Sequence, residues 1–214
     1  MNDIVILGGG GHAFSIADSI IRMKEYNIVG YTDLKEDSSH TFSIMKYLGT
    51  DEILQELFLQ GVIYAAVGIG FLGGNTLRDK LYDTLKKIGF KLPVIIDPSA
   101  SVSSTSKLGE GTFVGKNAIV NVCSQVEKMC IINSNATVDH DCEIGAFSHV
   151  SVGANICGNV KVGHHTMIGA GSTIIQGLHV GNNAIVGAGS SVINDVKDSS
   201  KTYGVAAIER FILK

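Results

Sequence analysis

The sequence has few of the features that mark membrane or nucleic-acid-binding proteins. Of its 214 residues none is tryptophan, two are proline and 17% are charged, with a formal net charge of −3. No apolar run approaches the roughly 18 residues that cross a membrane, and no cluster of lysine and arginine forms a basic stripe. We therefore expect neither a membrane nor a nucleic acid as partner. Asp3 stands beside the first apolar run, so we expect no secretion leader.

Cysteine is scarce, and its spacing does not fit the common zinc motifs. The four cysteines form no CxxC pair, and His164, His165 and His179 are spaced like surface residues. We expect a reduced, cytoplasmic protein without a metal. Glycine, in contrast, occurs 26 times, and so much glycine with so little proline indicates many tight turns in a regular fold. The cysteines are Cys123, Cys130, Cys142 and Cys157.

Residues 1–95 alternate apolar runs with helical patterns. This alternation predicts a small, Rossmann-like parallel sheet with helices, and hence an α/β domain. Thr50 is expected to cap the second helix and Asn75 the third, which Gly89 should end. The predicted elements are a strand at Asp3–Leu7, a helix from His12 to about Met23, a strand at Ile28–Tyr31, a helix near Asp51–Leu59, a strand at Val62–Val67 and a helix ending at Ile88.

A glycine-rich loop joins the first strand to the first helix. Gly8, Gly10 and Ala13 match the loose dinucleotide fingerprint, and Asp33 follows the second strand, where an acid commonly binds a ribose. Backbone amides at a helix start also favour phosphates. Taken alone the loop predicts NAD binding, and a structural tight turn is the alternative. The predicted sheet is small for a full dinucleotide fold, however, and no dehydrogenase-like second half follows.

From about residue 96 a six-residue period replaces these patterns. Sixteen consecutive positions in steps of six are all valine, isoleucine or leucine, without a break in register. This period predicts a β-helix of hexapeptide repeats, in which each aliphatic side chain points inward and stacks on the next coil. The positions are Val102, Leu108, Val114, Val120, Val126, Ile132, Val138, Ile144, Val150, Ile156, Val162, Ile168, Ile174, Val180, Val186 and Val192.

Small residues and glycines complete the repeat. The residue two places before each aliphatic is mostly small, as a narrow prism requires, and Cys130 and Cys142 occupy two of these inward positions. Glycine often follows the aliphatic, where we expect it to supply the positive φ of a tight corner. The pattern assigns residues 96–196 to the β-helix and residues 197–214 to a C-terminal tail.

Three stretches of the sequence carry recognisable motifs. They are ILGGGGHA at 6–13, INSNATVDHDCEIG at 132–145, and HVSVGA at 149–154 followed by GNVKVG at 158–163. Together they resemble one bacterial family, the sugar O-acyltransferases of the sialic acid O-acetyltransferase type. Within it the chain is most similar to the N-acetyltransferases that modify 4-amino sugar nucleotides, as in bacillosamine and perosamine synthesis. The resemblance covers nearly the whole chain.

The resemblance implies a left-handed β-helix, since spacing alone does not show the hand. It also implies a homotrimer with active sites between adjacent β-helices. Acetyl-CoA would donate its acetyl group directly to the 4-amine of a UDP-linked 4-amino-4,6-dideoxy sugar. The chain departs from the family near its end, where Gly204-Val205-Ala206-Ala207-Ile208 lacks the usual proline and lysine.

His140 is the residue expected to act as general base. It lies two places after the inward Val138, so its side chain should lie outside the prism. Histidine titrates in the range that proton transfer needs. The resemblance implies that Asp141 orients the imidazole and stabilises its cation. A solvated corner of mixed charge is the alternative.

The resemblance also implies binding residues in both halves of the chain. The Gly158 N–H is expected to face the thioester carbonyl, where negative charge develops. Without the resemblance His149 is a surface histidine and Gly158 one more corner glycine. Asn75 and Arg78 could also face the nucleotide pocket. The acetyl-CoA residues are His149, Gly158, Ala170 and Ala188, and the nucleotide-sugar residues are Gly10, Gly11, His12 and Asp33.

Three other functions are compatible with the sequence. O-acetylation of sialic acid or another sugar would use the same base and would not need a nucleotide. A non-catalytic nucleotide-binding protein would use the glycine loop alone, and a structural β-solenoid would need neither site. The cluster of Asp139, His140 and Asp141 outside the prism argues against a purely structural role.

Overall fold

The computed structural model describes residues 1–36, 44–74 and 76–204. Among these residues, no helix is both long and apolar enough to cross a membrane. The first part of the chain forms β1 (Asn2–Leu7), α1 (Gly11–Met23), β2 (Tyr26–Thr32), β3 (Tyr47–Gly49), a 3-10 turn (Asp51–Ile53), α2 (Leu54–Leu59), β4 (Tyr64–Val67) and α3 (Leu77–Ile88). The strands make one parallel sheet in the order β3-β2-β1-β4.

The predicted α/β domain is confirmed, with two local differences. The sequence gives no sign of β3, which is only three residues long and depends on pairing Tyr47 with Tyr31 of β2. The predicted second helix begins as a 3-10 turn, and Thr50 occupies its N-cap position without a side-chain cap hydrogen bond. Gly89 ends α3 with a φ of 113°, as predicted. Asn75 lies outside the described residues.

From residue 95 the chain forms a left-handed parallel β-helix of two-residue strands in three sheets. Each of the sixteen predicted aliphatics is the second residue of a strand, and from Val114 onward all are buried, which confirms the hexapeptide prediction. The strands are β5 (Ile95–Ile96), β6 (Ser101–Val102), β7 (Lys107–Leu108), β8 (Phe113–Val114), β9 (Ile119–Val120), β10 (Gln125–Val126), β11 (Ile131–Ile132), β12 (Thr137–Val138), β13 (Glu143–Ile144), β14 (His149–Val150), β15 (Asn155–Ile156), β16 (Lys161–Val162), β17 (Met167–Ile168), β18 (Thr173–Ile174), β19 (His179–Val180), β20 (Ile185–Val186), β21 (Ser191–Val192) and β22 (Lys201–Thr202).

The three sheets present different outer faces, because the first residue of each strand points outward. The seven-stranded sheet is mostly apolar outside, and the α/β domain packs on it. The six-stranded sheet carries no outward charge, whereas the five-stranded sheet does. The outward residues are Ile95, Phe113, Ile131, His149, Met167, Ile185 and Lys201 on the first, Ser101, Ile119, Thr137, Asn155, Thr173 and Ser191 on the second, and Lys107, Gln125, Glu143, Lys161 and His179 on the third.

The corner glycines serve a different purpose from the one expected. From Gly111 to Gly189, positive φ falls on the third residue after each inward aliphatic, and most of these residues are not glycine. The glycine directly after the aliphatic instead lies against the backbone of the next coil. A Cβ on Gly145 would stand 2.5 Å from the His164 nitrogen. These glycines allow stacked corners to approach closely, and the expectation of positive φ at them was wrong.

The β-helix continues beyond the last predicted position. The spacing shortens from six to four residues between Val192 and Val196, and Val196 then bridges to Val180. The final strand, β22, pairs with β20. The last coil therefore reaches into the segment that the sequence assigns to the tail, and residues 205–214 lie outside the described part of the chain.

A buried carboxylate fixes the α/β domain on the first coil. Asp97 is fully buried and accepts hydrogen bonds from Ser19 Oγ at 2.8 Å and from Arg22 Nη1 at 2.7 Å. Burial by itself raises the pKa of Asp97, but hydrogen bonds from Ser99 and Ser19 and the charge of Arg22 outweigh it, and the pKa lies below its ordinary value. The carboxylate is thus ionised at neutral pH and holds α1 against the β-helix.

The Gly145→Ala substitution should destabilise the β-helix. The added methyl group must push two coils apart, and overpacking of this kind costs about 1–3 kcal/mol. Thermal unfolding followed by circular dichroism measures the loss. Gly115→Ala is the matched control, since its Cβ would stand 3.0 Å from the Ser134 nitrogen and should cost less. Wild-type stability of Gly145→Ala would contradict the close-approach explanation.

Candidate active site

The corner between β12 and β13 holds the predicted base. The His140 side chain is 52% exposed and lies outside the prism, as its spacing predicts. Its Nδ1 lies 2.8 Å from Asp141 Oδ2. Asp141 has a φ of 58°, a left-handed conformation that aspartate tolerates better than most residues. The carboxylate therefore places the ring proton on Nδ1 and leaves Nε2 as the basic atom of the neutral imidazole.

Two carboxylates favour the protonated form of this histidine. The hydrogen bond that His140 Nδ1 donates to Asp141, together with the charge of Asp139, raises the pKa of His140. Asp139 accepts a hydrogen bond from Asn121 Nδ2 at 2.8 Å, and this bond helps to lower the pKa of Asp139. Asp139 is therefore ionised when His140 titrates, and the imidazole is a stronger base than a free histidine.

Gly158 lies directly against the imidazole, one coil further along the β-helix. A Cβ on Gly158 would stand 2.4 Å from His140 Nε2. Any side chain at this position would displace the ring. The Gly158 N–H donates no hydrogen bond to the residues that the structure describes. Only glycine therefore leaves room for the His140 ring at this position, and the sequence did not reveal this requirement.

An open cleft of about 490 Å³ begins at this corner. Two apolar side chains, Ile175 and Ile193, continue along the same corner and are 40% and 63% exposed. Together they form an exposed apolar surface that extends from the cleft, away from His140 Nε2. The cleft is lined by Asp139, His140, Cys157, Gly158, Asn159, Gln176 and Gly177.

His149 lies elsewhere, beneath the α/β domain. It belongs to β14 of the seven-stranded sheet and is 6% exposed, so it is not the surface histidine of the alternative interpretation. Its Nδ1 lies 2.7 Å from the Phe71 carbonyl oxygen and must donate to it. Its Nε2 lies 3.1 Å from Asn133 Nδ2 and can accept from that amide. Burial lowers the pKa of His149, and the charge of Arg78 lowers it further.

Asn133 is a residue that the sequence analysis did not single out. It belongs to the Asn-Ser-Asn-Ala stretch that carries the resemblance, which was the available signal. Ala170 and Ala188, expected at the acyl donor, are exposed one coil apart on the corners after β17 and β20. One copy of the chain therefore places them on a different corner from His140.

The expected nucleotide residues are divided between two places. Asp33 lines a cavity of about 380 Å³ at the carboxyl edge of the sheet, and its Oδ2 accepts from the Gly9 nitrogen at 2.7 Å. Gly10 is the N-cap of α1, and a Cβ on Gly10 or Gly11 would meet only open space. The cavity is lined by Leu7, Gly8, Thr32, Asp33, Leu34, Thr50, Asp51, Glu52, Ile69, Leu77 and Leu81.

His12 is not part of this cavity lining. Its ring meets Phe113 of the β-helix edge-on, with ring centroids 5.5 Å apart. Burial, with the charge of Arg78 and the neighbouring His149, lowers the pKa of His12 to about 3. Its buried Nε2 has no hydrogen-bond partner among the described residues. Arg78 also turns towards the β-helix and does not line the cavity.

Two known families match parts of the chain. Residues 3–85 match the PglD N-terminal domain, and residues 159–193 match the hexapeptide repeat of succinyl-transferase. A search of curated protein sequences gave no match. In the part of the chain that the structure describes, no group of three or more histidine, cysteine, aspartate or glutamate residues could hold a metal ion.

Solved structures match over nearly the whole length. PerB from Caulobacter crescentus, crystallised with CoA and GDP-perosamine, is 35% identical, with a TM-score of 0.87 over 95% of each chain. The chain belongs to the bacillosamine and perosamine N-acetyltransferases of the hexapeptide transferase family. It is therefore an acyltransferase, and the resemblance found in the sequence is confirmed.

Two further members support this assignment. The acetyltransferase domain of PglB from Neisseria gonorrhoeae FA1090, in complex with acetyl coenzyme A, is 31% identical, with a TM-score of 0.86 over 95% of this chain and 97% of that one. A histidine-to-alanine mutant of GDP-perosamine N-acetyl transferase from Caulobacter crescentus, in complex with CoA and GDP-perosamine, is 30% identical. Its TM-score is 0.74 over 95% of this chain and 94% of that one.

The Asp141→Asn substitution should lower the pKa of His140. The hydrogen bond that the imidazole donates to the carboxylate is the main cause that raises this pKa, and asparagine tolerates the same positive φ. A titration of the His140 ring protons by NMR measures the change. Glu143→Gln is the control, because this exposed carboxylate pairs with Lys161 and should leave the pKa of His140 unchanged. An unchanged pKa in Asp141→Asn would show that the carboxylate does not orient this imidazole.

Proposed function

We propose that the chain is an acetyl-CoA-dependent N-acetyltransferase of nucleotide-linked 4-amino-4,6-dideoxy sugars, with UDP as the nucleotide that the family resemblance implies. The observation that carries this proposal is the pair of His140 and Asp141 at the mouth of an open cleft, with Gly158 against the imidazole. Such a pair presents Nε2 as a general base. Relatives crystallised with CoA and GDP-perosamine support an amino sugar nucleotide as acceptor.

The reaction needs one proton to move from the amine to the leaving sulfur. The neutral 4-amine attacks the thioester carbonyl carbon and forms the new N–C bond, while His140 Nε2 takes the amine proton. The C–S bond then breaks, and the CoA thiolate receives the proton from the imidazolium. Asp141 stabilises the imidazolium through Nδ1. Because Asp141 and Asp139 raise the pKa of His140, the rate should rise with pH until the imidazole is neutral.

The acyl donor is proposed to lie along the cleft. The Gly158 N–H has no partner among the described residues, so it can donate to the oxygen that becomes negative during attack. Ile175 and Ile193 lie further along the same corner and can contact the apolar parts of the pantetheine arm. In this proposal the thioester lies beside His140, and the rest of CoA extends towards the C-terminal coils.

A homotrimer would complete the site. His140 and Gly158 lie on the corner after the six-stranded sheet, and Ala170 and Ala188 lie on the corner before it. The outer face between these corners carries no charged side chain, and the cores of protein interfaces are depleted of charge. We propose that an adjacent subunit covers this face. Each active site would then combine the corner that holds His140 in one copy with the corner that holds Ala170 and Ala188 in the next.

The cavity beside Asp33 is proposed to hold the nucleotide. It lies at the carboxyl edge of a parallel sheet, where such folds bind nucleotides. The open backbone at Gly10 and Gly11 begins α1 and can receive the diphosphate. Since acetyl-CoA and sugar nucleotides occur together in the cytoplasm, we place the reaction there.

A substrate panel tests this proposal. Thiol release from acetyl-CoA is measured at several pH values above the ordinary histidine pKa of about 6.5, with a UDP-4-amino-4,6-dideoxy sugar, its GDP counterpart and free sialic acid. We expect release with the UDP sugar. Release with the GDP sugar alone would correct the nucleotide and keep N-acetylation. Release with sialic acid alone would replace the proposal by O-acetylation.

His140→Ala should lower kcat by about a hundredfold to ten-thousandfold, the usual contribution of a general base. The exposed position of His140 means that the fold should survive, which circular dichroism checks. His179→Ala is the matched control, because His179 is an exposed histidine on the five-stranded sheet and should not affect kcat. Wild-type turnover in a folded His140→Ala protein would remove His140 from the mechanism.

A further inference from the structure

The lining of the nucleotide cavity is partly acidic and partly apolar. Among the described residues its charged side chains are all carboxylates, and no lysine, arginine or histidine lines it. The carboxylates come from the segments that follow β2 and β3, whereas most of the apolar side chains come from the end of β1, the segment after β4 and α3. Such a lining repels phosphate groups and suits an uncharged nucleoside. The carboxylates are Asp33, Asp51 and Glu52, and the apolar residues are Leu7, Leu34, Ile69, Leu77 and Leu81.

The glycine-rich loop beside the cavity leaves a place for the phosphates outside it. Gly8 lines the cavity, and the Gly9 nitrogen donates to Asp33 Oδ2 at 2.7 Å. Gly10 follows directly and begins α1, whose first turn carries no acidic residue. A diphosphate bound at this helix start would therefore direct its nucleoside into the cavity.

Asp51 combines a fixed orientation with an oxygen that a ligand can use. Its Oδ1 accepts a hydrogen bond from Thr32 Oγ1 at 2.5 Å, and Thr32 is fully buried. Its Oδ2 accepts no hydrogen bond from the residues that the structure describes. Both oxygens of Asp33, in contrast, already accept from backbone nitrogens. Asp51 is therefore the carboxylate of this cavity that is best placed to accept from a base.

A fixed carboxylate distinguishes bases by the hydrogen on one ring nitrogen. An ionised carboxylate accepts hydrogen bonds and cannot donate one. The Watson–Crick edges of uracil and guanine carry an N–H in the middle, at N3 of uracil and at N1 of guanine. Adenine and cytosine carry a bare nitrogen there, and its lone pair is repelled by a carboxylate. Because CoA contains adenine, the same carboxylate disfavours the nucleotide part of the acyl donor.

We propose that Asp51, held by Thr32, is a specificity-determining residue that selects uracil or guanine nucleotides over adenine or cytosine nucleotides. The inference rests on the proposed function, because it takes the cavity as the nucleotide site. It narrows the acceptor to a sugar linked to a base with this central N–H. The ADP part of acetyl-CoA is thereby kept out of the acceptor site, and the two nucleotide-containing substrates do not compete for it.

Calorimetric titrations of UDP, GDP, ADP and CDP into the full-length protein measure this selection. Saturating CoA is present throughout, so that ADP cannot bind where CoA itself binds. We expect the tighter binder of UDP and GDP to have a Kd at least about fivefold lower than that of ADP and that of CDP. This ratio is the lower end of the discrimination that side-chain contacts to base edges provide.

Two isosteric variants test Asp51 and its support separately. Asp51→Asn can still accept from Thr32, but its amide both donates and accepts, so the Kd ratio should fall towards one. Thr32→Val removes the hydroxyl that holds the carboxylate and leaves its charge in place. The ratio should fall there too, and Thr32→Ser should keep it. Glu56→Gln is the matched control, because this exposed carboxylate of α2 does not line the cavity, and it should keep the full ratio.

The outcomes separate this inference from the proposed function. If ADP or CDP binds as tightly as UDP and GDP, the inference is wrong although the acetyltransferase assignment stands. The same holds if Asp51→Asn or Thr32→Val keeps the full ratio, or if Glu56→Gln lowers it equally. If CoA does not bind, or if none of the four nucleotides binds, the proposed function fails and the inference fails with it. A ratio that falls in Asp51→Asn and Thr32→Val and persists in Glu56→Gln would support the inference.

Discussion

Residues 18 apart in the β-helix lie on top of one another, and this vertical register decides what each of them contacts. The inward aliphatic side chains stack from coil to coil, and backbone nitrogens donate to carbonyls of the next coil, as Asp139 does to Ile156 at 2.9 Å. The neighbour of any residue can therefore be counted along the chain. Gly158 lies against His140 for this reason, and the shape of the corner at His140 follows from the regularity of the stack.

The α/β domain is joined to this stack by groups that rarely occur in apolar contacts. Asp97 lies fully buried at the first coil, and Arg78 lies nearly buried against the third strand of the seven-stranded sheet. Apolar surface alone would allow the domain to slide, because such contacts have little direction. The buried charged side chains must keep their hydrogen bonds, and they do so in only a few positions of the domain relative to the β-helix. The distance between the Asp33 cavity and the β-helix is thereby fixed.

The sequence predicted what depends on local repetition. The inward aliphatics and the outward His140 follow from counting in sixes, and the fold follows from them. It did not predict the burial of His149, because the partner of His149 Nδ1, the Phe71 carbonyl, lies in the other half of the chain. The outward residues in steps of 18 held a further signal. Read from Ile95, they form the apolar face that the α/β domain covers.

The turn that holds His140 lies near the middle of the stack. In the six-stranded sheet, β12 has β9 and β6 on one side and β15, β18 and β21 on the other. Repeat folds of this kind unravel from their ends, where a coil has only one neighbour. Fraying from either end must therefore remove several coils before it reaches His140. The proposed catalytic base therefore lies in the segment that opens last.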